Sequence, residues 1–228
     1  MSGGTLFGVG VGPGDPELLT LKAVRLLERC PVVAAPRVGG RSASLDVARQ
    51  AADLSSSRIL PLDFSMSADA GAQERDDRAA ADLLEGELAS GFDVAMAVVG
   101  DPSLYSTFSR VGALVRDDGY TVAAVPGVPS FCAAAAAAGE DLAPEADSPF
   151  VAVPAGSPAL AEALELPGAK AVMKAGRRLP ELRRALSEAG RDGGAVVVSE
   201  AGLSGERVVP LSEAGDSAPY FTTVVVGA

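Results

Sequence analysis

The chain has no histidine, only two cysteines, and no apolar run approaching the roughly 20 residues that a membrane-spanning helix requires. The first absence reaches furthest. Without imidazole, these 228 residues cannot supply a Ser-His-Asp triad, an H-E-x-x-H zinc site or a histidine acid–base pair. Cys30 and Cys132 stand far apart without any C-x-x-C neighbour, so neither a zinc knuckle nor a disulfide framework is suggested, and both read as buried thiols. Positive charge is scarce too. Nineteen Lys and Arg against thirty Asp and Glu give a net charge of -11, which disfavours broad contact with nucleic acid or an anionic membrane. The opening MSGGTLFGVG lacks the basic and apolar regions of a signal peptide, and a cytoplasmic location is the default expectation.

What is present is a 48% hydrophobic chain in which short apolar runs alternate with helical patterns. Strands are expected at Leu6 to Val11, Pro31 to Pro36, Arg58 to Leu62, Asp93 to Gly100 and Thr121 to Val125. Pro61 places the third of these at an edge or strand end, and the fourth reads as the central strand. Between them, Asp15 as N-cap and Pro16 at the first helical position open a helix through about Arg29, with Leu19, Ala23, Leu26 and Leu27 on one face. Further helices are expected at Ser44 to Ala52, at about Ala72 to Ala89, and over most of Gly100 to Gly119. This is the pattern of a mainly parallel sheet with helices on both faces.

The break at Pro126 to Ser130 separates residues 1–125 from residues 126–228 as two α/β domains. Beyond it, a small-residue helix at Phe131 to Gly139 leads to strands at Phe150 to Pro154, Lys170 to Ala175, Ala195 to Glu200, Arg207 to Leu211 and Tyr220 to Val226. Only two clear helices separate these strands, near Pro158 to Glu165 and Pro180 to Ala189, so some neighbours must pair antiparallel and the second sheet is mixed.

The glycine loop after the first strand admits two readings. Such a loop at a helix N-terminus suits an anion, yet Gly8, Gly10, Gly12 and Gly14 are spaced by two and meet G-x-G-x-x-G only loosely. Asp15 and Glu17 also sit where a phosphate would go. The second strand ends in Pro36 and Arg37 instead of the acid that a ribose hydroxyl needs. A tight turn with a capped helix and no ligand is the plainer alternative. The stretch Val98 to Phe108 leaves the central strand at its C-terminal end, where open α/β sheets place ligands, although Asp101 and Pro102 alone also read as N-cap and first helical residue.

Three segments in this order and separation are more specific: GVGVGPGDPELLTLKA (Gly8 to Ala23), VVGDPSLYSTF (Val98 to Phe108) and VPGVPSFCAAAAAAG (Val125 to Gly139). Together they resemble the tetrapyrrole methylase family over essentially the whole chain. The first two are most similar to members that methylate C20 of precorrin-2, giving precorrin-3A in cobalamin biosynthesis. The resemblance implies S-adenosyl-L-methionine as methyl donor, S-adenosyl-L-homocysteine as product, a homodimer, a tetrapyrrole substrate, and a cofactor folded in a trough between the two domains. It implies that the glycine loop lines the trough instead of cradling phosphate.

Carried over residue by residue, cofactor contacts fall on Pro13, Gly100, Asp101, Pro102, Tyr105, Ser106, Thr107, Ser130, Met173 and, on a looser match, Ala201. Met173 reads equally as core packing, and Tyr105 as packing at a helix start. Pro129 departs from the Ser or Thr that relatives often carry, so a bond from there must come from Ser130 or be absent. A polycarboxylate substrate needs a locally basic patch on an acidic protein; Arg37 and Arg41 are the candidates, with Asp15 beside them, and solvated loop charges are the alternative. No catalytic side chain and no metal are expected. The rivals are a cobalt-bearing substrate, another methylase of the superfamily, an NAD-type oxidoreductase, and a silent tetrapyrrole-binding protein.

Overall fold

A computed structural model describes residues 3–65 and 69–227. The chain divides into two compact units, Met1–Pro129 and Ser130–Ala228. Among the described residues, no helix is long and apolar enough to cross a membrane.

The first unit is built on one parallel sheet of β1 (Thr5–Gly10), β2 (Val32–Arg37), β3 (Arg58–Asp63), β4 (Val94–Val98) and β5 (Thr121–Val125), in the order β3-β2-β4-β1-β5. Every residue of β4 is buried, as a central strand covered on both faces requires. Strand side chains alternate faces. Val94, Met96 and Val98 therefore enter the core under α3 (Ala70–Ala89) and α4 (Thr107–Asp117), whereas Ala95 and Ala97 face α1 (Leu21–Arg29) and α2 (Ala43–Ala51). Leu84 and Leu88 are fully buried in the first of these cores, where truncation to alanine costs about 2–5 kcal/mol each. Two guanidiniums tie α3 to α4 at the surface: Arg110 grips the buried carboxylate of Asp77, and Arg78 holds Asp82, Glu85 and Asp118. Pro61 lies in β3, the edge strand, where its missing N–H faces no partner.

Two helices differ from the sequence expectation. Asp15 does cap a turn, its carboxylate accepting from the Glu17 amide at 2.8 Å, but that turn is a single 3₁₀ turn, Pro16–Leu18. The chain then re-extends at Leu19 and Thr20, and Thr20 caps a separate helix, α1, through the Ala23 amide. Two good capping residues five positions apart produced two starts. In the other case α4 begins at Thr107, not near Asp101; residues 100–106 are a loop, and Ser106 is the cap, accepting from the Phe108 amide at 3.1 Å.

The second unit carries a mixed sheet of β6 (Phe150–Pro154), β7 (Ala169–Met173), β8 (Val196–Ser199), β9 (Arg207–Pro210) and β10 (Thr222–Val226), ordered β6-β7-β10-β8-β9. β6 and β7 run parallel; β10 pairs antiparallel with both β7 and β8, and β9 antiparallel with β8. α6 (Leu160–Glu165) and α7 (Leu179–Glu188) cover one face through Leu164, Leu179, Leu182 and Leu186. α5 (Ser130–Ala138) covers the other with Ala134 against Val198 and Val225. Lys170 is fully buried in β7, and its ammonium is satisfied by the carbonyls of Pro167 and Gly168. Of the two thiols expected to be buried, Cys30 is, with burial pushing it up to about 11, but Cys132 on α5 is exposed.

Candidate functional site

At the carboxyl ends of β4, β1 and β5, three loops are drawn together main chain to main chain. The Val11 amide donates to the Val98 carbonyl at 2.9 Å, and the Gly100 amide to the Gly12 carbonyl at 2.7 Å. Side chains would not fit between these strands. A Cβ on Gly127 would lie 2.2 Å from the Gly100 oxygen, and one on Gly10 would lie 2.6 Å from the same atom. Gly10 thus serves close backbone approach at β1, whereas Gly8 leaves room for the Phe108 ring and Gly12 takes a left-handed φ of 73°.

Asp101 ties this junction. One carboxylate oxygen accepts from the Gly127 amide at 2.9 Å, and the other from the amide of Ser103 at 2.8 Å and from its hydroxyl. Partial burial alone would raise this acid, but the hydrogen bonds from Ser103 and Gly127 outweigh it and hold Asp101 below its ordinary value, hence ionised at neutral pH. The helix-cap reading of Asp101 is therefore replaced: it caps a turn and links the loop after β4 to the loop after β5. The Ser109 hydroxyl adds a bond to the Pro102 carbonyl at 2.9 Å.

Backbone strain marks the same loop. Tyr105 has φ 49°, a left-handed conformation that costs a non-glycine residue about 1–3 kcal/mol and that clusters at functional sites. The residue is 44% exposed, so it does not pack as a core aromatic. Among the described residues, the other two left-handed non-glycine residues are Lys174 and Glu200, immediately after β7 and β8. They adjoin Met173 and Ala201, both buried and each a residue carried over from the family resemblance. Sequence reasoning missed this strain because none of the three is a glycine. Ser130 opens α5, Thr107 opens α4, and Pro13 is buried in the glycine loop.

The chemistry of the junction can be read from its charges. Residues 8–19, 98–108 and 125–132 contain Asp15, Glu17 and Asp101 but no lysine or arginine. An anionic phosphate would find no counter-charge on these segments and the ionised Asp101 at their junction. A ligand with a positive centre suits the same set, with fixed carbonyls available as partial negative charge. The residues present therefore fit a sulfonium ligand and do not fit a dinucleotide.

The expected substrate residues lie elsewhere on the unit. Arg37 ends β2 and makes a two-pronged pair with Asp63 of β3, both bonds at 2.6 Å. Arg41 follows a tight Gly39–Gly40 turn closed by reciprocal Val38–Arg41 main-chain bonds. Both arginines line a cavity of about 380 Å³. Asp15 does not line it; its oxygen serves the 3₁₀ turn.

Comparison with known proteins bears on these features. The family model for tetrapyrrole (corrin/porphyrin) methylases matches residues 5–215. The chain is 33% identical over 238 residues to the precorrin-2 C(20)-methyltransferase of a Sinorhizobium species, covering 98% of this chain and 95% of that one. It is also 33% identical over 233 residues to the cobalt-precorrin-2 C(20)-methyltransferase of Salmonella typhimurium, covering 98% and 96%. Among solved structures, the uroporphyrin-III C-methyltransferase of Thermus thermophilus, complexed with S-adenosylhomocysteine, is similar with a TM-score of 0.72 and 27% identity over 98% of this chain and 92% of that one.

Proposed function

This chain belongs to the tetrapyrrole (corrin/porphyrin) methylases, and from that membership we propose that it methylates C20 of precorrin-2, or of its cobalt-bearing counterpart, with S-adenosylmethionine as donor. The structural observation that carries the reading is the junction of loops at β4, β1 and β5, free of basic side chains and tied by an ionised Asp101. Near full-length similarity to both kinds of C20-methyltransferase supports the choice of carbon.

When bound, S-adenosylmethionine supplies an electrophilic methyl group on a sulfonium; a carbon nucleophile takes the methyl, and the electron pair of the broken bond stays on sulfur. The protein needs no nucleophile of its own for such a displacement, which agrees with a chain that lacks histidine. Its task is placement. Gly100, Asp101, Pro102 and Pro13 hold main-chain carbonyls in a frame locked by the Asp101–Gly127 bond, so that little reorganisation accompanies reaction. Tyr105, Ser106 and Thr107 are assigned to the same ligand, as are Ser130, Met173 and Ala201 of the second unit. Correct orientation of two reactants reaches effective molarities of about 10⁵–10⁸ M, enough to account for most of the acceleration. The reading includes a homodimer acting in the cytoplasm.

The test is a product assay with metal-free and cobalt-containing precorrin-2 in parallel, under anaerobic conditions. A mass gain of one methyl group at C20 with either substrate is the expected result and also selects between them. Absence of methylation with both, together with no calorimetric binding of S-adenosylhomocysteine, would overturn it.

A further inference from the structure

Resting on that reading, we infer that the cavity between α2 and the β2–β3 edge is a carboxylate subsite that seats an acidic side arm of the macrocycle, with Arg49 and Arg41 as the residues that determine substrate recognition. The cavity is lined by Ala35 and Arg37 of β2, Ile59 and Pro61 of β3, Arg41 of the turn, and one face of α2. Ser42, Leu45, Asp46 and Arg49 recur at helical spacing on that face. Arg49 thereby joins a cluster that its position in the sequence alone does not suggest.

The three guanidiniums are not equivalent. Arg37 is committed to Asp63 on both prongs. Among the described residues, none of the ion pairs engages Arg41 or Arg49. Asp46 is the one acid on the lining. Asp53 borders a neighbouring hollow that Arg49 also lines, outside the lining of this cavity, and one of its oxygens accepts from the Ser55 amide. Two exposed cations with free donors thus stand against one carboxylate, on a protein whose net charge is -11. Arg41 is also held in place, because the turn before it is closed by hydrogen bonds at 2.9 and 3.1 Å. The floor formed by Ala35, Ile59 and Pro61 is apolar and suits the methylene stem of an acetate or propionate arm. At about 380 Å³, the cavity has room for such an arm. Of its lining, Arg37 ends β2 and Arg41 follows just after it, and β2 pairs directly with β4, which leads into the Gly100–Tyr105 loop.

The experiment compares wild type with Arg41→Gln, Arg49→Gln, Arg49→Glu and Arg49→Lys. KM for precorrin-2 should rise about tenfold in Arg41→Gln and Arg49→Gln and further in Arg49→Glu, while kcat and the affinity for S-adenosylhomocysteine stay within about twofold. Arg49→Lys, which keeps the charge but loses the fork, should recover part of the loss. A KM for Arg49→Glu within about twofold of wild type would overturn the inference and leave the methyltransferase intact. If wild type methylates neither precorrin-2 nor its cobalt-bearing counterpart and does not bind S-adenosylhomocysteine, the function itself is overturned. The cavity is then judged by equilibrium binding of uroporphyrin: weaker binding by Arg49→Glu supports it, and equal binding sinks it.

Discussion

Two neighbouring stretches of the same sheet edge have opposite electrostatic character. The loops beyond β4, β1 and β5 carry three acids and no base, whereas the cavity beside β2 gathers three arginines, of which Arg37 is paired with Asp63, and one lining acid, Asp46. β2 and β4 are adjacent strands, so both regions belong to one sheet. The difference teaches what each edge can hold: a positive centre at one, carboxylates at the other. On the reading proposed above, it lets so acidic a protein take a polyanionic substrate, since local arrangement decides binding and net charge decides only the background.

The largest effect expected from breaking this arrangement is at the glycine junction. Gly10→Ala would drive a Cβ to 2.6 Å from the Gly100 oxygen with backbone on every side, and should cost about 1–3 kcal/mol or more in urea denaturation while abolishing S-adenosylhomocysteine binding. Next is Asp101→Asn, which keeps the shape and removes the charge. Affinity for S-adenosylmethionine should fall about tenfold by calorimetry and that for the uncharged thioether product less, since only the sulfonium feels the lost charge. Equal losses for both ligands would show that Asp101 acts through loop geometry alone.

The acid limb of stability sharpens the same point. Because the folded-state value of Asp101 lies below its ordinary 3.8, its contribution is fully present above that pH and is lost as pH falls through the lower folded value. Below about pH 4, wild type should therefore lose stability more steeply than Asp101→Asn in denaturant melts. The smallest effect concerns salt. Raising ionic strength from about 0.1 to 1 M shortens the screening length from roughly 10 to 3 Å, so KM for the macrocycle should rise a few-fold, with a shallower rise in Arg49→Gln.

How much was legible depended on whether the signal was local. Strand β4 could be read because five consecutive buried residues leave an unbroken apolar run, and the mixed second sheet because two pairs of strands lack an intervening helix. The start of α4 could not be read. Asp101-Pro102 has the form of a helix opening, but the Asp101 oxygens are engaged by Gly127, 26 residues away, and that bond exists only after β4 and β5 are placed on either side of β1. Cys132 was misjudged for a related reason: in an alanine-rich helix, no periodicity marks which face is inward.

Of the candidate substrate residues, Arg37 and Arg41 were visible as basic positions after a strand, but their difference was not. Arg37 is neutralised across the sheet by Asp63, while Arg41 is not. Arg49 carried a faint signal, its spacing of three and four residues from Asp46 and Leu45, that acquires meaning only when the β2–β3 edge supplies the opposite wall.

The sequence by itself determined the alternation of strands and helices, the family, and the exclusion of histidine chemistry, because these depend on residue type, order and short-range period. Only the tertiary structure decided that Asp101 is a latch between loops, that Tyr105, Lys174 and Glu200 bear strain, and which arginines remain free. Those properties are set by partners distant along the chain, and a charge acquires its role from what folding brings within a few ångströms of it.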